Sequence, residues 1–469
     1  VPGKEDKMMQ LATDRLQGEF AGELVMPGDP AYDAQRRVFN GAVDRYPALI
    51  ARCTGGRDVI AAVNHGRDHG LEIAVHGGGH GVRGHATCDD GLMIDLRPMK
   101  QIEIDAALRR ARVQAGVTWR ELDAATQRFG LAVTGGRVSS TGVAGFTLGS
   151  GSGWLERKLG VAADSMLSAQ VVLADGSLVT ASEREHPELF WGLRGGSGNF
   201  GVVTSFDFAL HPIGPIVLGG MLLYPGSRGP DVMRAFRDFM ADAPDEVGAG
   251  AALITAPPAA FVPESARGKP ALGIVICYAG DPAEGERVIA PLRECAPPAA
   301  DLVRPMSYTA VQQLIDPTMP AGMHNHWGGD FLAELPDAAI DAFCTAALAV
   351  PSPLTQILIV PGGGQVARID DDAMAIGQRQ APWNTHLLTM WSDAADSARN
   401  LEWLRALQTA IDPYTTGRAW LNFLGDEGVD RVRRAVGDRK YARLQTIKRR
   451  YDPDNLFHLN QNVVPTSSE

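Results

Sequence analysis

Between His76 and Gly84 the chain reads His-Gly-Gly-Gly-His-Gly-Val-Arg-Gly, so five of nine consecutive positions carry no side chain. The run before it, LEIAVH, has the composition of a short strand that ends on His76. Several glycines in succession after a strand let consecutive backbone N–H groups close on a phosphate with no Cβ in the way. The segment is therefore read as a diphosphate cradle. A histidine inside it is unusual, because the imidazole adds bulk where glycine otherwise removes it. On this segment alone, His80 either points toward the ring system of a bound cofactor or is a loop histidine held by hydrogen bonds.

A second glycine cluster runs from Gly135 to Gly153, and a third, RGGSGNFG, follows the short helical run HPELFWGL. Gly196-Ser-Gly198-Asn-Phe-Gly201 satisfies G-x-G-x-x-G, but the dinucleotide fingerprint needs a helix beginning at its glycines, and VVTSFDFAL alternates as a strand does. A Rossmann site is not expected there. Around the clusters the pattern is mixed. A helix is expected from Asp58 to about Gly70, strands at GLMIDL, IEID and RVQAG, a helix at TWRELDAATQRFG closing on Gly130, and a hairpin turning at Asp175-Gly176. Beyond His211-Pro212 the glycine clusters thin out, and strand-like runs (VLGGMLLY, LGIVICYAG, TQILIV, THLLTMW) alternate with helical stretches such as PDVMRAFRDFM. The fold class read from this is α+β. About 213 to 415 is read as a second domain, and the tail from about Gly417 ends in a polar run, DPDNLFHLNQN, suited to a cofactor.

At 469 residues the chain can bury two cores and hold a ligand cleft between them. Its net charge of -11 disfavours a nucleic-acid or anionic-membrane partner, and no run approaches the ~20 apolar residues of a membrane helix. The charged N-terminus has no apolar core, so a signal peptide is not expected. Five scattered cysteines without C-x-x-C spacing suggest neither a disulfide framework nor a zinc site, and a cytoplasmic setting fits them best.

Four segments taken together, AVHGGGHGVRGHATCDDGLMIDL, GRVSSTGVAGFTLGSGSGWLERKLG, ELFWGLRGGSGNFGVVTSF and YDPDNLFHLNQN, resemble the berberine-bridge-enzyme-like group of FAD-linked oxidases, which have the vanillyl-alcohol-oxidase (PCMH-type) fold. The likeness spans about residues 40 to 212 and the last fifty or so. It implies a two-part FAD-binding domain of PCMH type, residues 1–212 with 416–469 returning to it, and a substrate domain, 213–415, with a mixed or antiparallel sheet covered by helices. It also implies that His80 bonds covalently to the flavin 8α-methyl and that Gly77, Gly78, Gly79, Gly81 and Gly84 surround the pyrophosphate. Gly142, Val143, Gly145 and Gly149 match a second cofactor-binding stretch, Gly198 and Val203 a third, and Asn460 and Asn462 a C-terminal pair near the isoalloxazine. Bicovalent members carry a second attachment cysteine where this chain has Val138, so attachment through His80 only is implied. Thr141 stands where the oxygen-gating residue is usually valine or leucine. Trp420 stands where alcohol- and sugar-oxidising relatives often place a tyrosine in a late strand; as an indole it cannot abstract a proton, and it is either an aromatic wall or a core residue.

Substrate-handling candidates cluster in MHNHWGGDF: His324, Asn325, His326, Trp327 and Asp330. The resemblance places this run on a substrate-domain strand facing the flavin, and strand alternation puts His324 and His326 on one face and Asn325 and Trp327 on the other. His326, with an intrinsic pKa near neutrality, is the candidate base or hydrogen-bond partner, against two polar surface histidines beside a buried Trp327. No metal site is expected. Arg368 and Arg379 are candidates to neutralise an acidic substrate or the flavin, with surface ion pairs the commoner fate. The implied activity is hydride abstraction from a small alcohol or amine, with aromatic or natural-product substrates suggested by Trp327, Trp383 and Trp420, and with O2 as acceptor giving H2O2. A dehydrogenase using another acceptor and a non-catalytic flavoprotein that sequesters a small molecule stay open.

Overall fold

The computed structural model describes residues 16–425 and 427–466; positions 1–15, 426 and 467–469, which the sequence reading assigns to the first and last segments, lie outside the described residues. Two sheets carry the first 210 residues. One orders Glu23–Val25, Leu49–Arg52, Leu92–Asp95 and Ile73–His76, with the last three parallel. Parallel neighbours need a long crossover, and the helix Gly56–Asp68 supplies it, burying Val59, Ala62 and Val63. The other orders Ile102–Asp105, Arg110–Gln114, Val202–Ala209, Met166–Val172 and Leu178–Ser182, antiparallel throughout. The glycines of Gly196–Gly201 thus lead into the strand Val202–Ala209.

Residues 216–391 build an eight-stranded antiparallel sheet. Its order is Ala300–Asp301, Ile216–Pro225, Pro270–Tyr278, Val247–Thr255, Gln356–Pro361, Trp383–Trp391 and His324–Leu332, and Arg304–Ser307 also pairs with Ile216–Pro225. Helices Gly229–Asp242, Pro282–Glu294, Asp337–Ala347 and Ser397–Ile411 cover one face through Phe236, Ile289, Phe343 and Leu404, which join Leu222, Ile274 and Leu387 in one core. The period-2 pleat therefore turns Leu358, His386 and Leu388 to the opposite face. The run around Trp420 is not a strand: Leu421–Phe423 is a short 3₁₀ turn.

The last fifty residues return to the first two sheets, where Leu444, Ile447, Phe457 and Val463 share a core with Phe200 and Val203. Lys448 pins this return. Its ammonium is fully buried and donates to the carbonyls of Asn199 and Phe457, each at 2.8 Å, and to Asp452 Oδ2 at 2.6 Å. Burial pushes its pKa down while Asp452 opposes the shift. Among the described residues no helix is long and apolar enough to cross a membrane. Lys448→Met strands the Asp452 carboxylate in the interior and should cost about 3–5 kcal/mol. A urea or thermal midpoint unchanged from wild type would contradict this role.

Candidate functional site

A cavity of about 340 Å³ lies between the glycine loops of the first two sheets and the uncovered face of the large sheet. The loop after Ile73–His76 forms one wall, and the segment 142–149 packs against it. A Cβ on Gly78 would stand 2.3 Å from Gly142 N, and one on Gly142 would stand 2.6 Å from Gly78 N. The two glycine clusters thus touch backbone to backbone, at a separation that excludes any side chain. Gly81, Gly145 and Gly198 differ: a Cβ there meets nothing within 4 Å, and all three border the cavity. Gly77, Gly79, Gly149 and Val203 also line it, whereas Gly84 and Val143 do not. Gly84 packs on the Val43 side chain, and Val143 is buried in the core.

His80 is half-buried at the cavity wall, its Nε2 2.9 Å from Ser140 Oγ and its ring stacked on Phe39 at 4.3 Å and 18°. Desolvation brings its pKa down to about 4, opposed by the charge of Asp316, so the ring is neutral near pH 7. The C-terminal tail closes the wall. Asn460 Nδ2 donates to Gly198 O at 3.2 Å and to Phe457 O at 2.9 Å, and Gln461 accepts from Arg83 Nη1 at 2.6 Å. Asn460 Oδ1 is buried without a partner among the described residues. Asn462 does not line the cavity; its neighbour Gln461 does.

The pleat of His324–Leu332 turns Trp327 to the cavity and His324 and His326 to the other face of the strand, outside the cavity lining. Asn325 is buried beside Trp327 and accepts from its indole Nε1 at 3.2 Å, outside the cavity lining. Asn40 holds this strand against the cradle: its Nδ2 donates to Val82 O at 2.7 Å and Asn325 O at 2.9 Å, and its Oδ1 accepts from Asn325 N at 2.9 Å. Trp420 does not line the cavity; it packs edge-on to Phe331 at 4.8 Å in an apolar cluster shared with Phe423, while the residues after it, Leu421 to Leu424, line the cavity. Asp330 pairs with Arg431 at 3.0 Å. Arg379 is fully buried against Asp164 at 2.6 Å and Arg368 pairs with Asp245 at the surface, so neither reaches the cavity.

Sequence reasoning missed His386. It lines the cavity, stacked on Phe423 at 4.0 Å and 9° and edge-on to Trp327 at 5.1 Å. Its Nε2 is buried without a hydrogen-bond partner among the described residues, and desolvation, with Arg137 adding to it, brings the imidazole down to about 3. The signal was its alternation with Leu388 in THLLTMW, which places both on one face. Arg137 also lines the cavity, anchored on Ser152 and on Glu156 at 3.2 Å. Val138 presents an apolar wall. Cys88 is buried outside the cavity lining with its thiol pushed up to about 12 by desolvation. Among the described residues no group of His, Cys, Asp and Glu could hold a metal ion.

Residues 47–182 match the family model described as FAD binding domain, and residues 419–464 the one described as Berberine and berberine like. The (R)-6-hydroxynicotine oxidase of Paenarthrobacter nicotinovorans is 31% identical over 462 residues, covering 95% of this chain and 97% of its own. The crystal structure of 6-hydroxy-D-nicotine oxidase from Arthrobacter nicotinovorans superposes with a TM-score of 0.85 at 30% identity, over 95% of this chain and 98% of that one. A chitooligosaccharide oxidase shares the fold at a TM-score of 0.84 and 21% identity, over 97% of this chain and 100% of that one. The glycine cradle, the open positions beside it and the returning tail define an FAD-dependent oxidoreductase of the PCMH-type fold. The chain belongs to the berberine-bridge-enzyme-like family of FAD-linked oxidoreductases.

The residues present fit FAD. Gly81, Gly145 and Gly198 leave open space where a dinucleotide needs backbone contact, and the unpartnered Asn460 Oδ1 offers an acceptor. Gly78→Ala forces a Cβ onto Gly142 N and parts the two loops. Purified Gly78→Ala should carry markedly less flavin per chain by absorbance, and wild-type flavin content in it would count against the cradle.

Proposed function

We propose that this chain holds FAD through a single covalent bond from His80 and oxidises a small, flat, largely apolar alcohol or amine, with dioxygen as the electron acceptor. In this reading residues 1–212 and 416–469 form the FAD-binding domain and 213–415 the substrate domain. The observation that carries it is the make-up of the cavity roof. Ile315, Met319, Trp327, Leu358 and Leu388 are apolar, and His386 is the one titratable residue that the segment 213–415 adds among the described residues. Such a wall stacks on a planar apolar molecule, and it offers a polyhydroxylated sugar few hydrogen bonds. The name of the 6-hydroxynicotine oxidase relative supports a heteroaromatic donor.

Bound FAD supplies the redox chemistry, accepting a hydride from a carbon that bears oxygen or nitrogen. The protein's own residues bind, orient and dry the site. Gly77, Gly78, Gly79, Gly81, Gly142, Gly145, Gly149 and Gly198 would hold the cofactor, with Asn460 and Gln461 closing over it. His386 is neutral, and its unpartnered nitrogen is suited to meet the O–H or N–H of a donor. Phe423 beneath it and Trp327 beside it keep water from the imidazole. This moves the substrate-handling role from His324 and His326 to His386.

Three outcomes are expected. Acid-precipitated wild type stays yellow and His80→Ala releases its flavin to the supernatant; a colourless wild-type pellet removes the covalent bond from the proposal. Turnover consumes O2 with formation of H2O2, and reduction of an artificial dye without O2 uptake would mark a dehydrogenase instead. In a screen of amines and alcohols by anaerobic bleaching, His386→Leu raises KM for the best donor by about 5- to 150-fold, the range of one unpaired buried polar group. His386→Gln, which keeps a neutral donor and acceptor, recovers part of it. Equal KM in all three proteins would end the assignment of His386.

A further inference from the structure

The turn that carries Ser140 is held from the opposite domain. Thr141 N donates to Val138 O at 3.1 Å, so residues 138–141 form a tight turn on the FAD side. Asp316, in the short 3₁₀ segment Asp316–Thr318 of the substrate domain, grips it at two points. Its Oδ1 accepts from Ser139 N at 2.8 Å and its Oδ2 from Ser139 Oγ at 2.6 Å. Arg120 completes the grip, with Nη2 3.0 Å from Asp316 Oδ2 and Nε 3.0 Å from Ser139 Oγ. Ser139 is fully buried by these contacts, while Ser140, the next residue, is solvent-facing and reaches back to His80 Nε2 at 2.9 Å. Phe39 fixes the plane of the imidazole from one side.

We infer that Ser140 is a positioning residue for covalent attachment of the flavin, and that Asp316 makes attachment depend on docking of the substrate domain. This rests on the proposed bond from His80. In the tautomer whose Nε2–H donates to Ser140 Oγ, the neutral ring has its lone pair on Nδ1. If Nδ1 bonds to the flavin 8α-carbon, one C–H there would break with its proton lost to solvent, and the Nε2 proton would leave through the Ser140 hydroxyl to water. The electron pair from the broken C–H passes through the ring system to dioxygen, which with two protons becomes hydrogen peroxide. Stacking on Phe39 fixes the ring plane but permits a half-turn of the ring that keeps that plane, so without a held Ser140 the lone pair of Nδ1 would be correctly placed only part of the time.

Full-length wild type, Ser140→Ala, Ser140→Thr and Asp316→Asn are purified and incubated with excess FAD in air. Total bound flavin is read by absorbance and acid-stable flavin on the precipitated chain over time. Ser140→Ala is expected to bind as much flavin as wild type but to couple it roughly tenfold more slowly, the effect of one lost orienting hydrogen bond. Ser140→Thr restores the rate, and Asp316→Asn slows it while leaving Ser140 in place. Coupling in Ser140→Ala at the wild-type rate overturns the inference and leaves the His80 bond standing. Total and acid-stable flavin falling together in both variants overturns it too, because the turn is then merely structural. A wild type without acid-stable flavin overturns the His80 bond, and this inference with it.

Discussion

Gly78 and Gly142 meet with their backbones in contact, and the rest of the site is laid out from that point. Neither can carry a side chain, so the loop after Ile73–His76 and the segment that begins at Gly142 enclose one space rather than two. The same contact places the turn 138–141 beside His80, close enough for a serine hydroxyl to reach the imidazole. The cradle, the histidine and the turn are consequences of one close approach.

Burial then sets the chemistry. His80 and His386 line the same cavity, one on the wall formed by the cradle and one on the large sheet, and desolvation lowers both imidazoles to values at which they stay neutral in ordinary buffers. A neutral imidazole keeps a lone pair for bond formation or for a hydrogen bond, which a protonated ring lacks. Arg379 and Arg368 stay outside the cavity, committed to Asp164 and Asp245, while the cations that do line it are held by Glu156 (Arg137) and Gln461 (Arg83).

Much of this was legible in the sequence because glycine clusters and strand alternation are local signals. The cradle, the strand after Gly201 and the opposite faces of His324/His326 and Asn325/Trp327 follow from spacing alone. Which of those faces meets the cavity does not, since it depends on the side from which the helices cover the sheet. For the same reason the alternation of His386 with Leu388 did not reveal its role: one histidine in an apolar strand run shows its face only once Leu387 is known to join the helix-side core. Trp420 illustrates the converse. Its neighbours line the cavity, but the indole itself stays outside, packed on Phe331 in a cluster that Phe423 bridges to the cavity, and no periodicity marks the 3₁₀ turn at Leu421–Phe423.

The hydrogen bond from Arg83 to Gln461 joins residues 378 positions apart, across the same cavity that the cradle opens. A site with such a span has high contact order, and it cannot exist while the chain is only partly made. Every residue from the cradle to Gln461 must be made, and the tail must cross back, before the last wall is present. A ligand that binds only the completed cavity stabilises only chains in which this span is closed.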